Sequence, residues 1–369
     1  MSETEMWNVE HGLRSEQEPD QSPTWTRAER MAHHRVPGLS LAVISEFRIA
    51  WANGYGLANA ETGAPVTTDT IFQAASISKA VTAAGALRAV EEGRLALDED
   101  INRALRSWRL PENEHTAAAP VTLRGLLGHT AGTTVSGFPG YLADAPLPTL
   151  LQVLDGQAPA NTPPIRVDLR PGTAWRYSGG GYCIVQQALM DRWGEPFQEI
   201  MEARVLAPVG MKSSFFTERL KGPRVRRAAW AHRSSGAVLE SRWLGFPELA
   251  AAGMWSTADD LARFVVALQR ALRGDARGGI APRVAAQMLS TSVSDGYGLG
   301  LQLLPRNGEV YFSHGGSNPG YTCLFVGHRT AGCGAVMMAN SEHGFALFPE
   351  LLAAIAAEYG WPGYFPQGE

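Results

Sequence analysis

The chain has 369 residues, 45% of them hydrophobic, a formal charge of −4 at neutral pH and three cysteines. That length and apolar content are enough for one large domain or two intertwined ones, and they exclude a small disulfide-stapled scaffold. The slightly acidic balance and dispersed arginines give no field for nucleic acid, which leaves a small molecule or peptide as the expected partner.

Residues 1–23 lack hydrophobic periodicity and read as a flexible N-terminal arm, turning helical towards "TWTRAERMAHHRV". "GLSLAVISEFRIAWANGYGLAN" alternates apolar and polar residues between glycines and predicts a β-hairpin. "SISKAVTAAGALRAVEEGRL" is periodic and alanine-rich, a helix opened by Ser76 with Gly93 as its C-terminal stop. From about residue 97 to 245 short helical pieces, "VTLRGLLGHT", "LPTLLQVLDG" and "GGYCIVQQALMDRWG", alternate with proline-rich loops. "STADDLARFVVALQRALRG" follows as a helix with Ser256 or Thr257 as N-cap. Four strand-like stretches, "YGLGLQLLP", "VYFSHGG", "YTCLFVGHR" and "CGAVMMANS", precede a terminal helix in "FALFPELLAAIAAEYG".

Strands thus occur early and late, with helices between. The expected architecture is α+β, with an antiparallel sheet built from both chain ends (24–96 and 246–369) and flanked by helices, and an all-helical domain (97–245) inserted between them. Chemistry is expected in the cleft between the two. Cys183, Cys323 and Cys333 match no zinc or redox spacing and read as free thiols. The N-terminus lacks an apolar signal core and no run of about 18 apolar residues follows, so the reading is a soluble, cytoplasmic protein without membrane contact.

Lys79 is one of only three lysines in a chain that otherwise uses arginine, and it stands three residues after Ser76. At the start of a helix, residues i and i+3 share a face, so Ser76 Oγ and Lys79 Nζ can meet. Lysine can act as a base once it gives up its proton, which arginine effectively never does. The same helix start offers the Ser76 N–H to a developing oxyanion. Read blandly, the pair is a helix start with a solvated lysine. "PGTAWRYSGGGY" places Tyr177 on a glycine-rich loop before a helix, either projecting into a cleft or plugging a turn. "YFSHGGSNPGY" follows a strand with two glycines, which allow close backbone approach to a ligand or simply make a turn.

The order Ser76-x-x-Lys79, Tyr177-Ser178, His314-Gly315-Gly316 resembles the serine β-lactamase and penicillin-binding-protein-like superfamily on its class C side, with family VIII carboxylesterases and D-aminopeptidases. "VPGLSLAVI", "TDTIFQAASISK", "TLRGLLGHTAG", "LRPGTAWRYSGGGY", "LAPVGMKSS" and "AAGMWSTADDLARF" carry the same resemblance in the same order. It implies the β-lactamase/penicillin-binding-like fold, Ser76 as the acylated nucleophile, and Lys79 with Tyr177 as its base system. It further implies an oxyanion hole from the N–H groups of Ser76 and Ser317, and no metal or other cofactor. His314, Gly315, Gly316 and Gly179 are the remaining substrate-side candidates.

Two departures bear on the substrate. The Tyr-x-Asn of β-lactamases reads Tyr177-Ser178-Gly179, which removes an amide-reading side chain, and the Lys-Thr-Gly element reads His314-Gly315-Gly316, which weakens recognition of a carboxylate. Both favour a carboxylesterase-like serine hydrolase acting on small esters, or on amides or peptides. The alternatives are a D-stereospecific amidase, a weak β-lactamase, an acyltransferase to a non-water acceptor, and a non-catalytic penicillin-binding-like protein. A lipase-type elbow would need Gly-x-Ser-x-Gly, which is absent, and the histidines show no helical metal spacing. The loops around 133–170 and 232–250, with Phe138 and Tyr141, are expected either to shape the acyl pocket or to pack as ordinary core.

Overall fold

The computed structural model describes residues 3–15, 24–291 and 296–366. Its ten strands are β1 (Gly38–Ser45), β2 (Arg48–Asn59), β3 (Ala64–Pro65), β4 (Phe72–Gln73), β5 (Phe215–Phe216), β6 (Met254–Ser256), β7 (Gln302–Arg306), β8 (Glu309–Asn318), β9 (Tyr321–His328) and β10 (Gly334–Ala339). The helices before the middle of the chain are α1 (Glu3–His11), α2 (Arg27–His33), α3 (Ile77–Glu91), α4 (Glu114–Ala118), α5 (Leu123–Leu127) and α6 (Leu150–Asp155). They are followed by α7 (Gly179–Trp193), α8 (Phe197–Met201), α9 (Ala207–Val209), α10 (Leu249–Ala252), α11 (Ala258–Leu272), α12 (Pro282–Met288) and α13 (Gly344–Glu358).

Seven strands form one antiparallel sheet in the order β3-β2-β1-β10-β9-β8-β7, so that the early hairpin joins the late strands through the β1–β10 pair, Leu39 opposite Ala339. Side chains of these central strands alternate between two cores, as a period of two requires. Leu39, Leu41 and Val43 of β1 and Ala335 and Met337 of β10 face a core completed by Leu347, Phe348, Leu351 and Ile355 of α13. Ala42, Ile44, Val336 and Met338 face the other core, with Leu261, Phe264, Val265 and Leu268 of α11. Strands buried on both faces need near-continuous apolar text, which explains why "GLSLAVIS" and "GAVMMA" read so densely hydrophobic.

Local signals set the helix ends. Thr257 caps α11 by accepting the Asp260 N–H, Thr26 and Glu29 form a capping box on α2, and Gly93 follows α3 in the left-handed region at φ +70°. Ser256, the other N-cap candidate, instead bonds the Ser214 hydroxyl at 2.8 Å.

Two expectations are corrected. Residues 3–15 are not a free arm: α1 docks on α13, and Val9 and Leu13 are buried in the α13 core, whereas residues 1, 2 and 16–23 of the predicted arm lie outside the described residues. Residues 97–245 are not all helical. They hold one long helix, α7, several of six residues or fewer, and β5, which pairs with β6 in a small sheet ordered β4-β6-β5. Their proline- and glycine-rich connections hold irregular backbone rather than helix. Among the described residues no helix is long and apolar enough to cross a membrane.

Because the segment 3–15 is part of the folded core, Leu13→Ala should lower stability by about 2–4 kcal/mol, as for other fully buried leucines. An unchanged urea midpoint would mean that the segment does not dock.

Candidate active site

The small sheet carries the chain into α3. Phe72 and Gln73 pair with Ser256 and Trp255, the Ala74 N–H donates to the Met254 carbonyl at 2.8 Å, and Ala75 turns the chain at φ +47°. A left-handed alanine costs about 1 kcal/mol or more and persists only where its surroundings fix it. Here the fixing is dense: the Ser78 hydroxyl accepts the Met254 N–H at 3.1 Å, and Cys323 Sγ lies 3.0 Å from the Ala74 carbonyl oxygen. The turn delivers Ser76 to the start of α3, half-buried, one helical turn below Lys79.

Lys79 Nζ lies 2.9 Å from Ser76 Oγ and donates to the Ala251 carbonyl, also at 2.9 Å. Its side chain is buried, with Nζ 4.9 Å from the centroid of the Tyr177 ring. Tyr177 is set by the segment before α7. The Arg176 guanidinium binds the Asp168 carboxylate and the Gly132 carbonyl, and Ser178 caps α7 by accepting the Gly181 N–H at 3.0 Å.

From the opposite side, β8 reaches this turn only because residue 316 is glycine. A Cβ there would lie 2.4 Å from the Ala74 carbonyl oxygen and 2.6 Å from Cys323 Sγ. His314, two residues earlier, is buried. Its Nδ1 lies 2.7 Å from the Gly315 carbonyl, which can only accept, so Nδ1 carries the hydrogen and Nε2 accepts from the Tyr297 hydroxyl at 3.2 Å. Burial, then nearby Lys79, push the imidazole down to about 3, so it is neutral at ordinary pH. Burial likewise pushes the Tyr297 phenol well up, keeping it protonated as the donor.

These elements enclose a cavity of about 440 Å³ lined by Ser76, Trp175, Tyr177, Gly296, Tyr297, Gln302, His314, Gly315, Gly316, Ser317 and Phe345. The structure therefore brings together seven of the eight predicted residues, with Lys79 directly behind Ser76. Gly179 stands apart, in the first turn of α7, where an added Cβ would meet the Phe138 ring at 2.8 Å. The loops at 133–170 and 232–250 supply no lining residue to this cavity. Tyr141 is instead buried, bridging Gly245 through its backbone, and Trp243 packs edge-on against Trp255, so the core-packing alternative holds there. The sequence reading missed Trp175, Tyr297, Gln302, Phe345 and the buried His129 beneath Tyr177; they come from segments far apart in the chain. Among the described residues no group of three or more His, Cys, Asp or Glu could hold a metal ion, and all three cysteines are free and buried.

A model of the family described as Beta-lactamase matches residues 26–359. The chain belongs to the beta-lactamase family. Among the relatives, the D-aminopeptidase of Gluconobacter oxydans is 26% identical over 301 residues, covering 77% of this chain and 52% of that protein. The esterase EstB of Burkholderia gladioli is 28% identical over 195 residues, covering 51% and 49%. The chain thus spans about half the length of these curated relatives. The octameric penicillin-binding protein homologue from Pyrococcus abyssi superposes with a TM-score of 0.72 at 25% identity, over 89% of this chain and 74% of that one. The fold therefore agrees with the family match.

One buried acid lies beside the site without entering the cavity. Glu248 precedes α10, the helix whose Ala251 carbonyl holds Lys79. Neither of its carboxyl oxygens has a hydrogen-bond partner among the described residues. Burial pushes this carboxyl up to about 8. Folded and unfolded chains both hold the proton below the ordinary value near 4.5, so the group is neutral to stability there. As pH rises to about 8 the unfolded chain ionises and the folded one resists, so the wild type loses stability, by an upper bound on the order of 5 kcal/mol. Glu248→Gln should flatten that fall in urea midpoints between about pH 5 and pH 8; an equally steep fall in the variant would assign it to other groups. Gly316→Ala, which drives a methyl into backbone, should cost about 1–3 kcal/mol or more and displace the Ser76 turn. Thermal unfolding at wild-type temperature would show that the contact is slack.

Proposed function

We propose that this protein is a serine hydrolase that works through a covalent acyl-enzyme on small, uncharged esters, in the manner of a carboxylesterase. The observation that carries the reading is the 2.9 Å approach of Lys79 Nζ to Ser76 Oγ at the mouth of a cavity walled largely by aromatic rings and neutral polar groups. Ser76 Oγ attacks the ester carbonyl carbon while Lys79, assisted by Tyr177, takes the hydroxyl proton. The oxyanion is received by the N–H groups of Ser76 and Ser317, the carbonyl re-forms, and the alkoxide departs with the proton returned through Lys79 and Tyr177. A water molecule then repeats the sequence on the acyl-enzyme, giving the acid and free Ser76.

Three features support an ester without charge. The place a side chain at 179 would occupy is filled by Phe138, so an amide-reading group has no room there. His314 is neutral and engaged by Tyr297, so it offers no cation to a substrate carboxylate. At the rim Trp175 and Phe345 are 42% and 44% exposed, apolar surface suited to an alkyl or aryl group. The resemblance to D-aminopeptidases keeps cleavage of D-amino acid amides as the second reading, which uses the same acyl-enzyme.

Incubation with p-nitrophenyl butyrate, quenching and intact mass measurement should show an adduct of the acyl mass that is absent in Ser76→Ala. Lys79→Arg should lower turnover by about 10²-fold or more, because a guanidinium effectively never gives up its proton and so cannot serve as the base. Turnover that persists in Ser76→Ala would overturn the mechanism. Amide turnover exceeding ester turnover would transfer the assignment to the second reading.

A further inference from the structure

His129 stands on the short turn after α5, 48 residues before Tyr177, and does not line the cavity. It is buried, yet it holds φ +60°, a conformation that a side chain other than glycine adopts only where something fixes it. Three contacts run from this one residue to the segment around Tyr177. Its backbone carbonyl accepts the Arg176 N–H at 2.8 Å. Its Nδ1 accepts the Ser178 N–H at 3.2 Å. Its ring lies 4.4 Å, centroid to centroid, from the ring of Tyr177 itself. Both neighbours of the tyrosine are therefore held through their main-chain donors, and the tyrosine ring is held by a tilted ring contact at 42°.

Because Nδ1 accepts, a neutral imidazole carries its hydrogen on Nε2. That atom is buried with no hydrogen-bond partner among the described residues, inside a box of Trp175, Tyr177, Tyr182 and Tyr297 rings. The aromatic faces are what an N–H without a lone-pair acceptor can point towards. Protonating the ring would convert Nδ1 into a donor facing the Ser178 donor. Burial, then Lys79 and His314, oppose that by pushing the imidazole well below its ordinary value.

We infer that His129 is a positioning residue that brackets Tyr177, fixing its phenol against Lys79 through paired backbone contacts and a tilted ring contact. The inference rests on the serine-hydrolase reading for its catalytic consequence, not for its geometry. The bracket also accounts for the residue type. Asparagine, histidine and glycine tolerate φ near +60° better than other residues, and of these only histidine adds a ring to an acceptor placed two bonds from Cβ.

The test uses two substitutions that both accept the backbone conformation. His129→Asn keeps an acceptor, Oδ1, as many bonds from Cα as Nδ1, while His129→Gly loses acceptor and ring together. With p-nitrophenyl butyrate, His129→Gly should lower kcat by about 10²-fold with KM within about twofold, and His129→Asn should recover at least about tenfold of that loss. Added to Tyr177→Phe, His129→Gly should deepen the loss by less than about threefold, because both act through one phenol. Equal damage in the two His129 variants, with losses that multiply independently of Tyr177→Phe, would overturn the inference. Should His129→Gly fail to fold by near-UV circular dichroism, the cycle of His129→Asn with Tyr177→Phe decides in the same way. Should Ser76→Ala keep full turnover, the hydrolase reading fails separately. Crystal structures of the two His129 variants then decide the bracket: Tyr177 displaced by more than about 1 Å in His129→Gly supports it, and Tyr177 unmoved in both overturns it.

Discussion

The site depends on one close contact, the seating of β8 at Gly316 on the carbonyl of Ala74. It can form only without a side chain at 316, and it presses the late half of the sheet onto the turn that aims Ser76. With that contact in place, the left-handed Ala75, the Met254 hydrogen bonds and the start of α3 have one mutually consistent arrangement. A strained residue beside Ser76 is sustained by surroundings that over-determine it, and here those surroundings come from three separate stretches of chain.

Around this turn the protein places one lysine among groups kept neutral by burial. His129 and His314 are both pushed down by desolvation and by Lys79, and Tyr182 and Tyr297 are pushed up. The effect is a polar layer that donates and accepts hydrogen bonds without adding charge. His314 belongs to this layer as a neutral group. Its Nε2 accepts from Tyr297, and this end of β8 presents a neutral wall to the cavity.

Much of this was legible in the residues. The Ser76–Lys79 pair follows from helical spacing and from the scarcity of lysine, and the strand text is dense because β1, β9 and β10 are buried on both faces. Gly316 is readable as a site of close approach. The rest required the fold. Trp175 sits two residues from Tyr177 and was within view, but Tyr297, Gln302 and Phe345 reach the cavity through sheet and helix pairings that no local pattern encodes. His129 lay inside a stretch that carries the family resemblance, yet its partner is 48 residues away, and a lone histidine offers no spacing signal. The helix α1 left a weak trace in Met6 and Val9, masked by its charged first turn. Phe138 and Tyr141 illustrate the converse, aromatic residues in a suggestive loop that serve packing.

The position of β10 between β1 and β9 has a consequence for the order in which this molecule can be made. Leu39 and its partner Ala339 are 300 residues apart, so the central pairing of the sheet has a very long loop to close, and topologies of that kind fold slowly. During synthesis β1 emerges early and waits with one open edge and two apolar faces, a state prone to wrong pairing. The turn that carries Ser76, which needs β8, likewise assembles only after β8 has left the ribosome. Such a protein acquires its sheet and the Ser76–Lys79 arrangement in the same late event, and a nascent chain stalled before the last strands would lack that arrangement and expose apolar faces.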